Sequence, residues 1–297
     1  MRPRRILVVA TAVLIVVWAL APAARGALLI ARRASIPDLQ EMVSGLGLPA
    51  EGVTFTATDG VRLFGTYFDV RSPRGSVVLV HGFKTYRTEM FDRVRFLHDA
   101  GYAVLAYDGR GCGASEGTFG VGATEERDII GAVSYLRGRG GPAAPNIAVL
   151  GISLGAGDAL LAAAADERIG AVVADSAWAD ERVQVDRMTS IPVGPLALPV
   201  LPYELSLVDA LVGGRLEDAR PRDVVSRIAP RPILLIHSVD DDNATTPIRD
   251  ADAIFASAGQ PKDYWRVPAG GHAGAYRAAR SDYERRVLAF LAGAFKD

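Results

Sequence analysis

The stretch Ile147–Glu167 reads IAVLGISLGAGDALLAAAADE. It opens as an apolar run of strand length, breaks into glycine and serine, and ends as an alanine-leucine helix pattern. One hydroxyl, Ser153, stands between Gly151 and Gly155 where the strand must become a helix. Gly-Ile-Ser-Leu-Gly fits the G-x-S-x-G nucleophile elbow, and a strand before with a helix after is the context that this motif requires. Such a turn strains the serine backbone, and only small neighbours two residues away let the chain double back. It presents Ser153 Oγ at the top of a sheet and at a helix N-terminus, where backbone N–H groups stabilise developing negative charge.

The elements on either side of this stretch alternate. Residues 52–70, GVTFTATDGVRLFGTYFDV, alternate apolar and polar about Asp59-Gly60, a hairpin signal. Buried strands are expected at GSVVLVHG, YAVLAYD, IGAVVADSAW, PILLIHS and DYWRVP. Helices are expected at TEMFDRVRFLHDAG, at GATEERDIIGAVSYLRGRG and at SDYERRVLAFLAGAF. This order predicts an α/β fold with a mainly parallel sheet, helices on both faces and antiparallel strands at one edge. Residues 179–228 break the alternation. Prolines at 192, 195, 199 and 202 exclude a long helix or central strand there, so the block reads as a small lid insertion.

The N-terminus is different in kind. From Ile6 to Ala24 no residue is charged, and at about 1.5 Å per residue the run reaches across about 30 Å of hydrocarbon. Residues 1–33 are expected to form a single transmembrane anchor, with a cleaved signal peptide as the competing reading. Residues 34–51 form a linker and 52–297 the globular domain. Arginines flank both ends of the run, so the charge asymmetry is small; the expected placement of the domain is outside the cytoplasm. The net charge of −1 over 297 residues gives no field to attract nucleic acid. The lone Cys112 excludes an internal disulfide and any multi-cysteine metal site.

Beyond the anchor, about residues 52–296, the chain resembles the α/β-hydrolase fold superfamily, in its serine-hydrolase branch related to the serine aminopeptidase-like and BEM46-like hydrolases. The motifs that carry the resemblance are the elbow, His81-Gly82-Phe83 at a strand end, and Asp108-Gly109-Arg110-Gly111-Cys112-Gly113-Ala114-Ser115. PILLIHSVDDD and VPAGGHAGAY resemble the segments bearing the family's acid and histidine. The resemblance implies a Ser-His-Asp triad acting through an acyl-enzyme.

Chemistry selects its members. A serine hydroxyl needs a base within hydrogen-bond reach, and the chain has four histidines. His98 reads as a helix-surface residue, and His81 and His237 as strand-end residues holding loop backbone. His272, in a glycine-rich loop after the last strand, is the candidate base. The acid is expected at Asp241, four residues after His237 as in the family. The loop to Pro247 is longer than the family's and Ser238 replaces its usual glycine, so Asp242 stays an alternative and Asp175 a third. The oxyanion hole is assigned to the backbone N–H groups of Phe83 and Leu154. No cofactor and no metal are expected. The expected activity is cleavage of a small-molecule or lipid-like ester, the lipid-like reading resting on the apolar stretch Leu196–Leu201 and the anchor. The alternatives are a serine peptidase of the aminopeptidase-like type and a catalytically silent, membrane-tethered binding module.

Overall fold

A computed structural model describes residues 3–31, 39–141, 145–193, 196–199 and 204–295, with some side chains outside that description in the first helix and between 186 and 205. The strands are β1 (Ala50–Thr56), β2 (Arg62–Phe68), β3 (Gly75–Val80), β4 (Tyr102–Asp108), β5 (Ile147–Ile152), β6 (Ile169–Asp175), β7 (Ser190–Val193), β8 (Leu196–Pro199), β9 (Ile233–Ser238) and β10 (Lys262–Val267). The helices are α1 (Pro3–Ile30), α2 (Leu39–Gly45), α3 (Phe91–Asp99), α4 (Glu126–Arg139), α5 (Leu154–Ala165), α6 (Glu181–Thr189), α7 (Glu204–Val212), α8 (Pro221–Val224), α9 (Ile248–Ser257), α10 (Ala275–Ala278) and α11 (Arg280–Ala294).

Eight strands form one sheet in the order β1-β2-β4-β3-β5-β6-β9-β10. The β1–β2 hairpin is antiparallel, and β2 pairs antiparallel with β4. From β4 to β10 every pairing is parallel, so the expected sheet with its antiparallel edge is present. The sheet's two faces carry separate cores. Val78, Leu105, Val149, Val172 and Leu235 meet α4 and α5 on one side. Val77, Val104, Leu150, Val173 and Leu234 meet α3 and α11 on the other. Alternation along each central strand produces this two-sided burial, and each such aliphatic residue contributes roughly 1.5–3 kcal/mol. Helices cover both faces as expected, and the carboxyl ends of β3, β5, β6, β9 and β10 open onto one rim.

Between β6 and β9 lie α6, the short β7–β8 hairpin, α7 and α8. No long helix and no strand of the eight-stranded sheet occurs there among the described residues, as the prolines require. The side chains of Leu196–Leu201, on which the lipid-like expectation rested, lie outside the described residues.

Helix α1 is 28 residues long, and most of its described apolar side chains are exposed, Leu7 and Val8 each at 68%. Among the described residues no helix is long and apolar enough to cross a membrane. The expected span over Ile6–Ala24 is therefore without support among the described residues; the side chains of Leu14, Val17–Ala19 and Ala21–Ala23 lie outside them. The far end of α1 docks onto the domain. Gly26 packs against Leu207 and Val208 of α7, and Lys84 Nζ donates to the Leu28 carbonyl.

Candidate active site

Ser153 sits at the turn between β5 and α5 with φ 52° and ψ −118°, a conformation that L-residues rarely adopt. The flanking glycines make the turn possible. A Cβ on Gly151 would lie 2.1 Å from the Gly155 carbonyl oxygen, and one on Gly155 would lie 2.5 Å from that of His81. Any side chain at either position would push the elbow open. The Ser153 N–H donates to Asp175 O at 2.8 Å, fixing the elbow to the adjacent strand.

The loop after β10 brings His272 across 119 residues of sequence, and Ser153 Oγ lies 2.8 Å from its Nε2. The opposite ring nitrogen, Nδ1, lies 3.0 Å from Asp241 Oδ2. A carboxylate only accepts, so Nδ1 carries the proton and Nε2 offers its lone pair to the serine. Thr246 Oγ1 lies 2.9 Å from the same Nδ1. Asp241 is buried, and burial alone would raise its pKa. Contacts from His237, His272 and the Asn243 amide outweigh burial and hold the carboxyl well below the usual carboxylate range.

The neighbouring aspartates part company. Asp240 Oδ1 accepts from the backbone N–H groups of Gly270 and Gly271, both at 2.9 Å, and so clamps the loop that carries His272. Asp242 is exposed and is not brought to the imidazole. Asp175 is buried at the end of β6, where it accepts from Ser176 Oγ at 3.1 Å and lies 3.8 Å from Arg93. Ser176 Oγ also accepts from Ala273 N at 3.1 Å, tying the histidine loop to β6.

Leu154 is the first residue of α5, and Phe83 follows Gly82, whose backbone is pressed against the nucleophile: a Cβ there would lie 3.5 Å from Ser153 Cβ. Phe83 and Leu154 share one apolar cluster with Phe119, Trp178 and Ile30 of α1. Glu89 Oε2 accepts from the Gly82 N–H at 2.9 Å and also from Thr85 Oγ1, which fixes the loop beside the elbow.

His81 holds loop backbone as expected, accepting from Gly109 N at 2.9 Å. His237 does not. Its ring turns back to Asp241, with Nε2 3.0 Å from Oδ2. His98 is only partly exposed, with Nε2 2.9 Å from the Asp69 carbonyl oxygen. Within the Asp108–Ser115 turn, Arg110 forks between Asp59 and Asp128, and Asp108 accepts from the Arg87 and Ala114 N–H groups. Cys112 is fully buried, and burial pushes its thiol up to about 12, which leaves it un-ionised. Among the described residues no group of three or more His, Cys, Asp or Glu side chains could hold a metal ion.

A cavity of about 500 Å³ opens on Ser153 and His272. Its lining mixes polar and apolar surface in similar measure, Phe83 and Ile152 standing beside Glu89, Arg93, Gln184, Asn243, Thr245 and Arg277. Sequence reasoning missed the polar side chains because they come from separate segments that share no motif. It also missed His237's orientation, for which the four-residue spacing to Asp241 was the available signal.

A mainly parallel sheet whose carboxyl ends present a strained serine, a buried aspartate and an imidazole in that chain order defines an α/β-hydrolase. The chain belongs to the α/β-hydrolase superfamily. Residues 71–203 match the family described as serine aminopeptidase, S33. The uncharacterized protein YqkD of Bacillus subtilis is 30% identical over 226 residues, covering 73% of this chain and 70% of that protein. The uncharacterized protein YfhR of Salmonella typhimurium is 27% identical over 247 residues, covering 80% of each. Among solved structures, the Pyrococcus furiosus esterase Pf2001 superposes with a TM-score of 0.72 at 22% identity, over 90% of this chain and 98% of that one; this likeness concerns the fold.

Proposed function

We propose that this chain is a serine esterase working through Ser153, His272 and Asp241. Ser153 Oγ attacks the ester carbonyl carbon while His272 Nε2 takes its proton. His272 then protonates the leaving alcohol, and water activated by the same imidazole releases the acid and restores Ser153. Asp241 fixes the Nδ1–H tautomer and stabilises the transient imidazolium. The N–H groups of Phe83 and Leu154 receive the oxyanion. The observation that carries this reading is the 2.8 Å contact between Ser153 Oγ and His272 Nε2, backed by the 3.0 Å contact to Asp241.

The polar side chains in the lining, Glu89, Gln184 and Asn243 among them, support a short ester that offers them hydrogen-bond partners. A screen of p-nitrophenyl esters from acetate to dodecanoate, beside aminoacyl nitroanilides, tests the reading. The short esters are expected to be cleaved with kcat/KM at least tenfold above the longest; absence of turnover on every ester would contradict it.

One observation favours peptidase activity of the aminopeptidase-like type as the second reading. The Glu89 carboxylate lines the cavity and offers a partner to a substrate ammonium group. Faster cleavage of aminoacyl nitroanilides than of any ester would select it.

The globular domain is further proposed to be held at a membrane by α1 and to act outside the cytoplasm, with 179–228 as its lid. The uncharged run from Ile6 to Ala24 and the exposed apolar side chains of α1 support the anchor. Release of the full-length protein from membranes by carbonate washing would contradict it.

A further inference from the structure

Asp241 serves two imidazoles, and the mechanism above uses one. His272 Nδ1 and His237 Nε2 each lie 3.0 Å from the same oxygen, Oδ2. His237 is fully buried, one residue from the end of β9; its Nε2 approaches Asp241 Oδ2 at 3.0 Å as a close contact to the charged carboxylate without the geometry of a full hydrogen bond. Its Nδ1 has no hydrogen-bond partner. A carboxylate cannot donate, so the ring must present Nε2–H to Asp241. The neutral tautomer meets that need and leaves only a lone pair at Nδ1, whereas an imidazolium would bury an unpartnered N–H. The groups facing His237 are Asp241 on its own loop and Asp175 at the end of β6; Arg93 of α3 and Tyr283 of α11 stand behind Asp175.

We propose that His237 is a positioning residue for the triad, a neutral donor that holds Asp241 Oδ2 in place and shares its charge with His272. The inference rests on the hydrolase reading of Ser153, His272 and Asp241. Three donors then surround one carboxylate: the Asn243 amide on Oδ1, at 2.9 Å, and the two imidazoles on Oδ2. Removing His237 leaves Asp241 free to swing and concentrates its charge on His272. Activity falls, and the acidic limb of the kcat/KM profile moves to higher pH because the imidazolium is held more tightly.

The test uses the full chain with His237→Leu and His237→Gln. The glutamine amide can donate where Nε2 stands; leucine fills space without donating. Expected for H237L are a loss of about tenfold in kcat/KM and a rise of the acidic limb by about half a pH unit or more. H237Q is expected to restore most of both. A role in packing alone would leave the limb unmoved. Wild-type profiles in folded H237L, or equal impairment of H237L and H237Q with the limb in place, would overturn the proposal. Should H237L not fold, H237N replaces it; its shorter amide falls short of Oδ2, and a wild-type profile there would likewise overturn it. Wild-type protein that neither turns over esters nor reacts with a fluorophosphonate would overturn the hydrolase reading as well, which separates the two failures.

Discussion

Asp241 and Asp158 are both buried carboxylates near the elbow, and the fold treats them oppositely. Asp241 stands among donors and its pKa is held below the usual range. Asp158, about one turn into α5, has burial against it and Glu125, Glu181, Glu126 and Asp128 as neighbouring acids, so its pKa is pushed well above 3.8. Its Oδ1 has no hydrogen-bond partner. It lines a cavity of only about 10 Å³ beneath His81 and Gly82. Burial is deeper at Asp158, where the neighbouring acids add to it and hold the group a neutral acid; at Asp241 burial is outweighed by three contacts that keep the carboxylate ionised for the imidazole.

The largest effect that would sharpen this contrast belongs to Asp241→Asn. The amide can present N–H to Nδ1 and favour the wrong tautomer, so kcat is expected to fall by about 10³–10⁴-fold with little change in KM, read in steady-state kinetics on a short ester. Asp241 also contributes stability above its unfolded pKa of about 3.9, lost as pH falls below that value. An asparagine variant with wild-type kcat would break the comparison from this side.

Asp158→Asn should act on stability with the opposite sign. As pH rises above about 3.9 the unfolded chain ionises at residue 158 while the folded one stays protonated, which costs stability. The variant removes that cost. Its Tm is expected to rise by about 2–4 °C at pH 8 and to match wild type near pH 3.5, with kcat unchanged, read by thermal melts across pH. A lower Tm at pH 8 would show that Asp158 is charged and partnered. The smallest effect is expected for Asp242→Asn, whose exposed side chain is not at the imidazole; its kcat should stay within about twofold of wild type.

The elbow and the sheet were readable in sequence because both are local patterns. Gly151 and Gly155 announce a turn whose steric need is met within five residues, and the apolar runs fix strands buried on both faces. The sequence favoured Asp241 as the acid but left Asp242 open. The choice depends on how the loop from Ser238 to Pro247 closes, and one residue of register turns a carboxylate from the imidazole to solvent. The ring direction of His237 was not readable, since a strand-end histidine can meet loop backbone, as His81 does, or the carboxylate four residues on. The polar side chains of the cavity were hidden for a third reason: Glu89, Gln184 and Asn243 meet only after the chain has crossed the sheet several times.

The central claim is that Ser153 is a nucleophile activated by His272. The most direct measurement is intact mass after treatment with a fluorophosphonate, on folded wild-type protein and on Ser153→Ala and His272→Ala variants. The account predicts one adduct on wild type, mapped to Ser153, none on S153A and a rate at least about 10³-fold lower on H272A. Labelling of S153A at the wild-type rate, or no adduct on wild type, would contradict it.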